Sequence, residues 1–596
     1  MQLTAEQQAI IGSTGNIKIN AVAGSGKTST LVAYAKSRPA RSRILYLAFN
    51  KTVKEEAIRK FHVEHNLYNV SVETAHSLAF HHIVKRSNYT VRNEYKTHEL
   101  AEILDLRLPG DKHMEYVLAR HINRFVAYFC NSDKEKVEEL HYPDIVAEPE
   151  AHAFAVQYLS VIVRQTRELL ARMNRAEIEI THDFYLKKFQ LSKPNLPFDY
   201  ILFDEGQDAS PAMLHVFLQQ NCTRVIVGDT HQQIYGWRFA ENALEKTVFQ
   251  TFTLSRSFRF GTEIANLACA VLGWKKHFSE SIEPEITGAG KATQVATKAV
   301  IARTNLGLLV KAIEQITGVR KVQRIYFEGN INSYAYADDG ASLYDVLNLA
   351  NGKKTQIRDK LVAQMKNLDE LQTYIEKAGD VQLGMMVELV SEYGNEIPTL
   401  IKQLKDRHVP ENERDKAEIV FSTVHRSKGL EYDSVQVVSD FVSEGKVKER
   451  AGRSDGEDGN TKQWLEEINL LYVAITRARA VVYLPEHLMP ESVEGSSAVQ
   501  ILKTQKVDQR SKSVKPKPNA AKPLATEEKK KAYTLEDKRL HNQSAYQPWT
   551  DRLDTDLRQM FNNGVSLADM ARHFGRTRGA VGARIKKLGL EEFYSA

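Results

Sequence analysis

Two short stretches hold groups that together can hydrolyse a phosphoanhydride. In the first, AVAGSGKT over residues 21–28, Gly24 and Gly26 precede a lysine and a hydroxyl. Glycines there let successive backbone N–H groups turn towards one point, and Ala23, Ser25 and Ser29 complete a phosphate cradle around Lys27 and Thr28. The Lys27 ammonium would reach the β- and γ-phosphates, and the Thr28 hydroxyl would ligate Mg²⁺. The pattern usually begins with a further glycine, and Ala21 stands in its place. The second stretch, ILFDEGQD over 201–208, ends an apolar run in adjacent acids. Asp204 would hold Mg²⁺, usually through water, and Glu205 would orient or deprotonate the attacking water. Adjacent acids alone are often a solvated turn; beside a phosphate cradle they predict nucleotide hydrolysis.

Such groups need a rigid frame. The short runs NIKINAV (16–22), RILYLAF (43–49), FDYILFD (198–204) and TRVIVGD (223–229) read as buried parallel strands. Each leads into a polar or glycine-bearing loop and then a helical pattern, the order of a doubly wound α/β sheet that binds ligands beyond the carboxyl ends of its strands. Helical periodicity takes over between, as in HAFAVQYLSVIVRQTRELLARM (152–173). KAVIART (298–304), EIVFSTV (418–424), SVQVVSD (434–440) and AVVYLP (480–485) imply a second α/β domain. The expected organisation is a first domain over 1–85 and 195–265 with a helical insertion at 86–194, and a second over 266–330 and 411–488 with a short helical insertion at 331–410.

Beyond these, 489–545 is rich in Lys, Pro, Ser and Ala and poor in large apolar residues, which predicts a flexible basic linker. Three short helical patterns follow in 546–596, broken at Gly564 and Gly575, with Ser566 as an N-cap. They look like a helix-turn-helix module whose third helix carries Arg576, Arg578 and Arg584. That face suits DNA phosphates or a groove; a protein-docking module with a solvated basic face stays open beside it.

Charge follows this division. Residues 501–596 hold 20 basic against 11 acidic side chains, net +9, and residues 1–500 hold 61 against 64, net −3. The basic excess belongs to the tail, as expected where a polyanion is engaged. The chain has 596 residues, 42% apolar and 26% charged, too long for one core and without an apolar run able to span a bilayer, so no membrane role is expected. Its three cysteines have no metal-ligand spacing, and the N-terminus shows no secretory pattern, so the expected address is the cytoplasm and nucleoid or the nucleus.

The set LTAEQQAI, AVAGSGKT, DEGQD, VGDTHQQIYGWRFA, LSRSFRF, STVHRSKGLEYDSV and NLLYVAITRAR, in this order over about residues 1–485, resembles the motifs of UvrD/Rep-type superfamily 1 DNA helicases. LAFNK and TAHSLA are most similar to the F-box DNA helicase branch, with no F-box in view. The resemblance implies two RecA-like P-loop domains, ATP and Mg²⁺ as cofactors, and single-stranded or tailed duplex DNA as partner. It implies that Gln7 reads the adenine edge, Gln232 contacts the γ-phosphate, and Arg259 and, from the second domain, Arg477 reach it as well. Glu431 would contact the ribose or phosphate region. Phe49, Asn50, His76, Tyr235, Trp237, Arg238 and His425 would line the DNA path, with Trp237 as the main stacking group and Phe49 equally readable as core. The expected activity is 3′–5′ helicase action in DNA repair, recombination or replication. Alternatives are a translocase that strips proteins with little unwinding, a nucleotide-gated DNA-binding regulator, and a tail that recruits a protein partner.

Overall fold

In a computed structural model, the residues described are 3–503 apart from 108–112, 279–284, 292–294, 319–321, 337–339 and 453–457, together with 551–562, 570, 573–574, 581 and 584–585. The chain divides into two units, Met1–Lys506 and Val507–Ala596.

The larger unit is built on two six-stranded sheets. The first contains β1 (Ile17–Ala21), β2 (Ile44–Ala48), β3 (Val70–Thr74), β4 (Tyr200–Phe203), β5 (Thr223–Gly228) and β6 (Gln250–Leu254) in the order β3-β2-β4-β5-β1-β6. A short pair, β7 (Arg256–Ser257) and β8 (Thr287–Gly288), follows. The second sheet contains β9 (Lys298–Ala302), β10 (Ile325–Phe327), β11 (Ile419–Thr423), β12 (Tyr432–Val437), β13 (Ala478–Pro485) and β14 (Val499–Leu502) in the order β10-β11-β9-β12-β13-β14. All their pairings are parallel. Parallel strands covered on both faces must be apolar throughout, and β2, ILYLA, is buried at every position.

The eight strands read from sequence are the interior ones. The four it does not show, β3, β6, β10 and β14, are the four sheet edges. An edge strand pairs on one side only, so β6 can be QTFTL with only Leu254 buried, and β10 can stop after three residues. One boundary is thereby corrected: β14 extends the second sheet to Leu502, so residues 499–502, expected within the linker, belong to the sheet.

Helices fill the chain between β3 and β4, among them Met114–Asn131, Pro149–Gln157 and His182–Leu191, and between β10 and β11, among them Leu368–Ala378 and Val381–Tyr393. The two sets meet. Helix Leu368–Ala378 packs on Met114–Asn131 and Pro149–Gln157, Arg120 pairs with Asp380 at 2.9 Å, and the His121 ring bonds to the Lys377 carbonyl at 3.1 Å. One apolar core consequently runs from Leu45 and Phe203 through Phe125 and Leu371 to Val300 and Phe421.

In the smaller unit, helix Asp551–Asn562 contributes Leu557 to a cluster with Met570, Phe574, Val581 and Ile585. The Arg584 guanidinium, expected to face phosphate, is paired with Asp554 within the unit. Arg576 and Arg578, like Gly564, Ser566 and Gly575, lie outside the described residues. Among the described residues no helix is long and apolar enough to cross a membrane.

Candidate active site and nucleic-acid interface

Strand β1 delivers the phosphate loop to the carboxyl edge of the first sheet, between the ends of β5 and β6. Ala21 is its last residue, buried and in register with Leu254, a conformation any residue adopts. Glycine is needed further on. Gly24 has φ +74°, and a Cβ there would lie 2.6 Å from Cβ of Arg259 and 2.8 Å from Oγ of Ser257. Gly26, at φ +79°, caps helix Lys27–Lys36 without any side-chain acceptor, so the first N–H groups of that helix stay available to an anion. Ser25 Oγ is buried in the loop with no hydrogen-bond partner, Thr28 is half-buried on the first helical turn and Ser29 is exposed. The Ala23 N–H donates to the Tyr472 hydroxyl at 3.4 Å. An orphaned hydroxyl beside the uncapped first N–H groups of that helix fits a phosphate.

Across the loop, Asp204 follows the end of β4, and the chain turns left-handed at Glu205, φ +54°. Lys27 Nζ lies 2.7 Å from Glu205 Oε1. Asp204 accepts the Tyr46 hydroxyl and, at 2.9 Å, the Glu205 N–H. Burial and the neighbouring Glu205 push the Asp204 carboxyl up. Burial works on Glu205 the same way, but the Lys27 and Lys428 ammoniums overcome it and hold Glu205 below the usual carboxylate range. Thr28 and Asp204 supply the hydroxyl and carboxylate oxygens that suit Mg²⁺. Among the described residues no cluster of three or more His, Cys, Asp or Glu could hold a metal, so the cation would take its remaining ligands from phosphates and water.

Gln7 reaches the same loop from helix Ala5–Ile11. Its amide accepts the Thr4 N–H at 3.0 Å as half of a capping box and donates to Thr30 Oγ1 at 3.1 Å. Gln232 is buried and donates to Asp229 Oδ2 at 2.8 Å.

The second sheet's side of the cleft closes on these groups. Arg259, which follows β7, pairs with Glu431 at 2.7 Å and donates to the Thr476 carbonyl at 2.8 Å. Glu431 also takes Arg479 at 3.0 Å, so its carboxylate is committed to two arginines. Arg477 is only 1% exposed and donates to the Val473 and Leu430 carbonyls and the Thr476 hydroxyl, all uncharged. Burial, and then repulsion from Arg259, pull its guanidinium down to about 9. Two further bridges were not read from sequence. Lys428, buried with Asp208, pairs with it and donates to the Gln232 carbonyl at 2.6 Å. The Tyr472 hydroxyl donates to Asp229 Oδ2 at 2.9 Å. Both lie inside stretches already singled out, Lys428 three residues after His425 and Tyr472 five before Arg477; a lysine or tyrosine gives no sign of its partner until the sheets are folded.

Beside this cleft lies an aromatic group. Phe49, half-buried, stacks on Tyr235 with centroids 5.3 Å apart, which joins its two readings. Trp237 is 57% exposed, 6.5 Å from Tyr235 and edge-on to His425 at 6.4 Å. The Arg238 guanidinium lies 4.6 Å over the Trp237 ring. Tyr235 donates to the His425 carbonyl at 3.2 Å, while burial, followed by the Arg303 charge, lowers the His425 ring to about 4 and keeps it neutral. Two expected members make other contacts. Asn50 caps helix Lys51–Ile58 by accepting the Val53 N–H at 2.9 Å, and His76 faces Asp183 at 3.7 Å beside His182 and Tyr185.

Residues 3–252 match the UvrD/REP helicase N-terminal domain. Similarity reaches well past it: F-box DNA helicase 1 of Gallus gallus is 30% identical over 544 residues, 84% of this chain and 51% of that protein. F-box DNA helicase protein 1 of Schizosaccharomyces pombe is 28% identical over 80% of this chain and 56% of its own length. DNA helicase IV of Escherichia coli is 23% identical over 44% of this chain and 46% of its own. The chain thus spans about half the length of these relatives. The UvrD-like kinship read from the motifs, with its lean towards the F-box helicases, holds.

Proposed function

We propose that this protein is an ATP-dependent, Mg²⁺-requiring DNA helicase that moves 3′–5′ along single-stranded DNA, with two RecA-like lobes alternating between closed and open. The observation that carries this reading is the segment Asp229–Arg238. At one end Asp229 meets Tyr472, which touches the phosphate loop at Ala23; at the other, Tyr235 and Trp237 present aromatic faces beside the cleft. Whatever shifts the lobes at the nucleotide therefore shifts the aromatic group.

Thr28 and Asp204 would hold the metal, which when bound shields phosphate charge. Lys27 and the helix N-terminus would orient the phosphates, Glu205 would take the proton of the attacking water, and Arg259 and Arg477 would stabilise charge on the transferring group. Trp237 would stack on a base at about 1–3 kcal/mol without reading its identity. A role in DNA repair, recombination or replication suits such a motor, and the basic tail would raise the local DNA concentration or recruit a protein partner.

The test is ATP turnover with and without single-stranded DNA or RNA, then unwinding of 3′- and 5′-tailed duplexes. Strong stimulation by DNA and unwinding from the 3′ tail are expected. Turnover indifferent to either polymer refutes a motor, and clearance of a protein-coated strand without duplex separation replaces the helicase by a stripping translocase.

A further inference from the structure

The long helix Asp458–Ile475 presents three polar side chains, three residues apart, to the segment that links the two sites. Tyr472 holds Asp229 and the Ala23 N–H, Asn469 donates to the Gln233 carbonyl at 2.9 Å, and Glu466 accepts the Gly236 N–H at 3.2 Å. Gly236 immediately precedes Trp237, and a Cβ at position 236 would collide with the Glu466 carboxylate. The adjacent Glu467 is taken by Arg303 at 2.7 Å, while among the described residues the hydrogen bond to the Glu466 carboxyl comes from the Gly236 N–H. Nothing in the chemistry of nucleotide hydrolysis requires a carboxyl here, six residues or about 9 Å of helix rise from Tyr472 and beside the aromatic group.

We propose that Glu466 is a positioning residue for single-stranded nucleic acid: by holding the Gly236 N–H it fixes the backbone that carries Trp237, in register with the phosphate loop that Tyr472 touches on the same helix. Rigid helix geometry makes the three contacts one device, so the stacking face is pre-formed and the strand does not have to order it. This rests on the motor reading above and adds to it a group outside both the nucleotide and the strand.

Glu466→Ala removes the acceptor, and Glu466→Gln keeps a carbonyl oxygen in its place. Amide hydrogen exchange of residues 233–239 in the free protein, the concentration of a fluorescent oligothymidylate that half-saturates binding, and the maximal stimulated ATPase rate are read together. For Glu466→Ala the expectation is faster exchange in that segment, half-saturation raised about tenfold and a maximal rate within about twofold of the parent, the split expected when a binding face loses its support. Glu466→Gln should restore all three. The inference is overturned if Glu466→Ala binds the oligonucleotide as the parent does, if the glutamine variant is as impaired as alanine, or if maximal rate falls in step with affinity. If the parent protein itself does not bind the oligonucleotide, the motor reading is what fails, and faster exchange in Glu466→Ala then marks a structural clamp only.

Discussion

Glu205 sits at a left-handed turn with its carboxylate against Lys27, held ionised by two ammoniums. An ionised carboxylate can accept a proton from water, and we expect Glu205→Gln to lower ATP turnover by about 10² to 10⁴ while nucleotide still binds, measured by steady-state kinetics and by titration with a fluorescent analogue. Lys27→Ala should instead weaken both, since its ammonium faces phosphate in the ground state too. Lys428 belongs to a different class. Its side chain is 8% exposed and its partner Asp208 is 0%, so Lys428→Ala leaves a carboxylate buried without its counter-charge and should cost about 3–5 kcal/mol, with Asp208→Asn largely tolerated beside it, as denaturant titration would show. How much of this could be read in advance depends on the residue. Lys27, Asp204 and Glu205 were legible because loop, strand and acid are local in sequence. Ala21 looked like a defect, yet it ends a strand where no glycine is needed. Lys428 and Tyr472 owe their importance to partners some 200 residues away, and no local pattern records that.

At the scale of elements, interior strands could be read from runs such as RILYLAF because burial on both faces demands apolar residues throughout; the four edges escaped because one-sided pairing relaxes that demand. The contact between the two helical insertions escaped too, since each amphipathic helix shows that it buries a face but not against what. His121 lies at that contact, between the Tyr142 hydroxyl at 2.7 Å and the Lys377 carbonyl, stacked on Phe154. Burial lowers its ring to about 4. The unfolded chain, with an ordinary imidazole near 6.5, then binds more protons than the folded one between those values. His121 therefore favours the fold fully above pH 6.5 and progressively less as pH falls towards 4, by about 3 kcal/mol at most. Melting temperatures across pH 7 to 4.5 should fall less steeply for His121→Gln than for the parent.

For the whole molecule, the question is what joins the two sheets. Arg259 with Glu431, Lys428 with Asp208, and Tyr472 with Asp229 all cross the cleft at the nucleotide side, while the packed insertions cross it elsewhere. In the proposed motor, relative motion of the lobes would have to break the first set. Glu431→Gln should accordingly loosen the closed arrangement and raise the ATP concentration needed for half-maximal turnover several-fold, about what a lost part-buried charge pair costs. In the smaller unit, Arg584→Ala should lower that unit's own melting transition by removing the Asp554 pair, a result that a freely solvated arginine would not give.

Arg477 ordinarily would keep a shell of water and lose it only when a ligand arrives. Here folding has already stripped the guanidinium and offers it carbonyl and hydroxyl oxygens in place of an anion. The dehydration penalty is thus carried by the protein's stability and not by the binding step. An incoming phosphoryl oxygen would meet a dehydrated charge held only by neutral oxygens, whose attraction dissolved salt scarcely weakens. Added electrolyte should therefore erode the grip on nucleic acid long before it touches the turnover step.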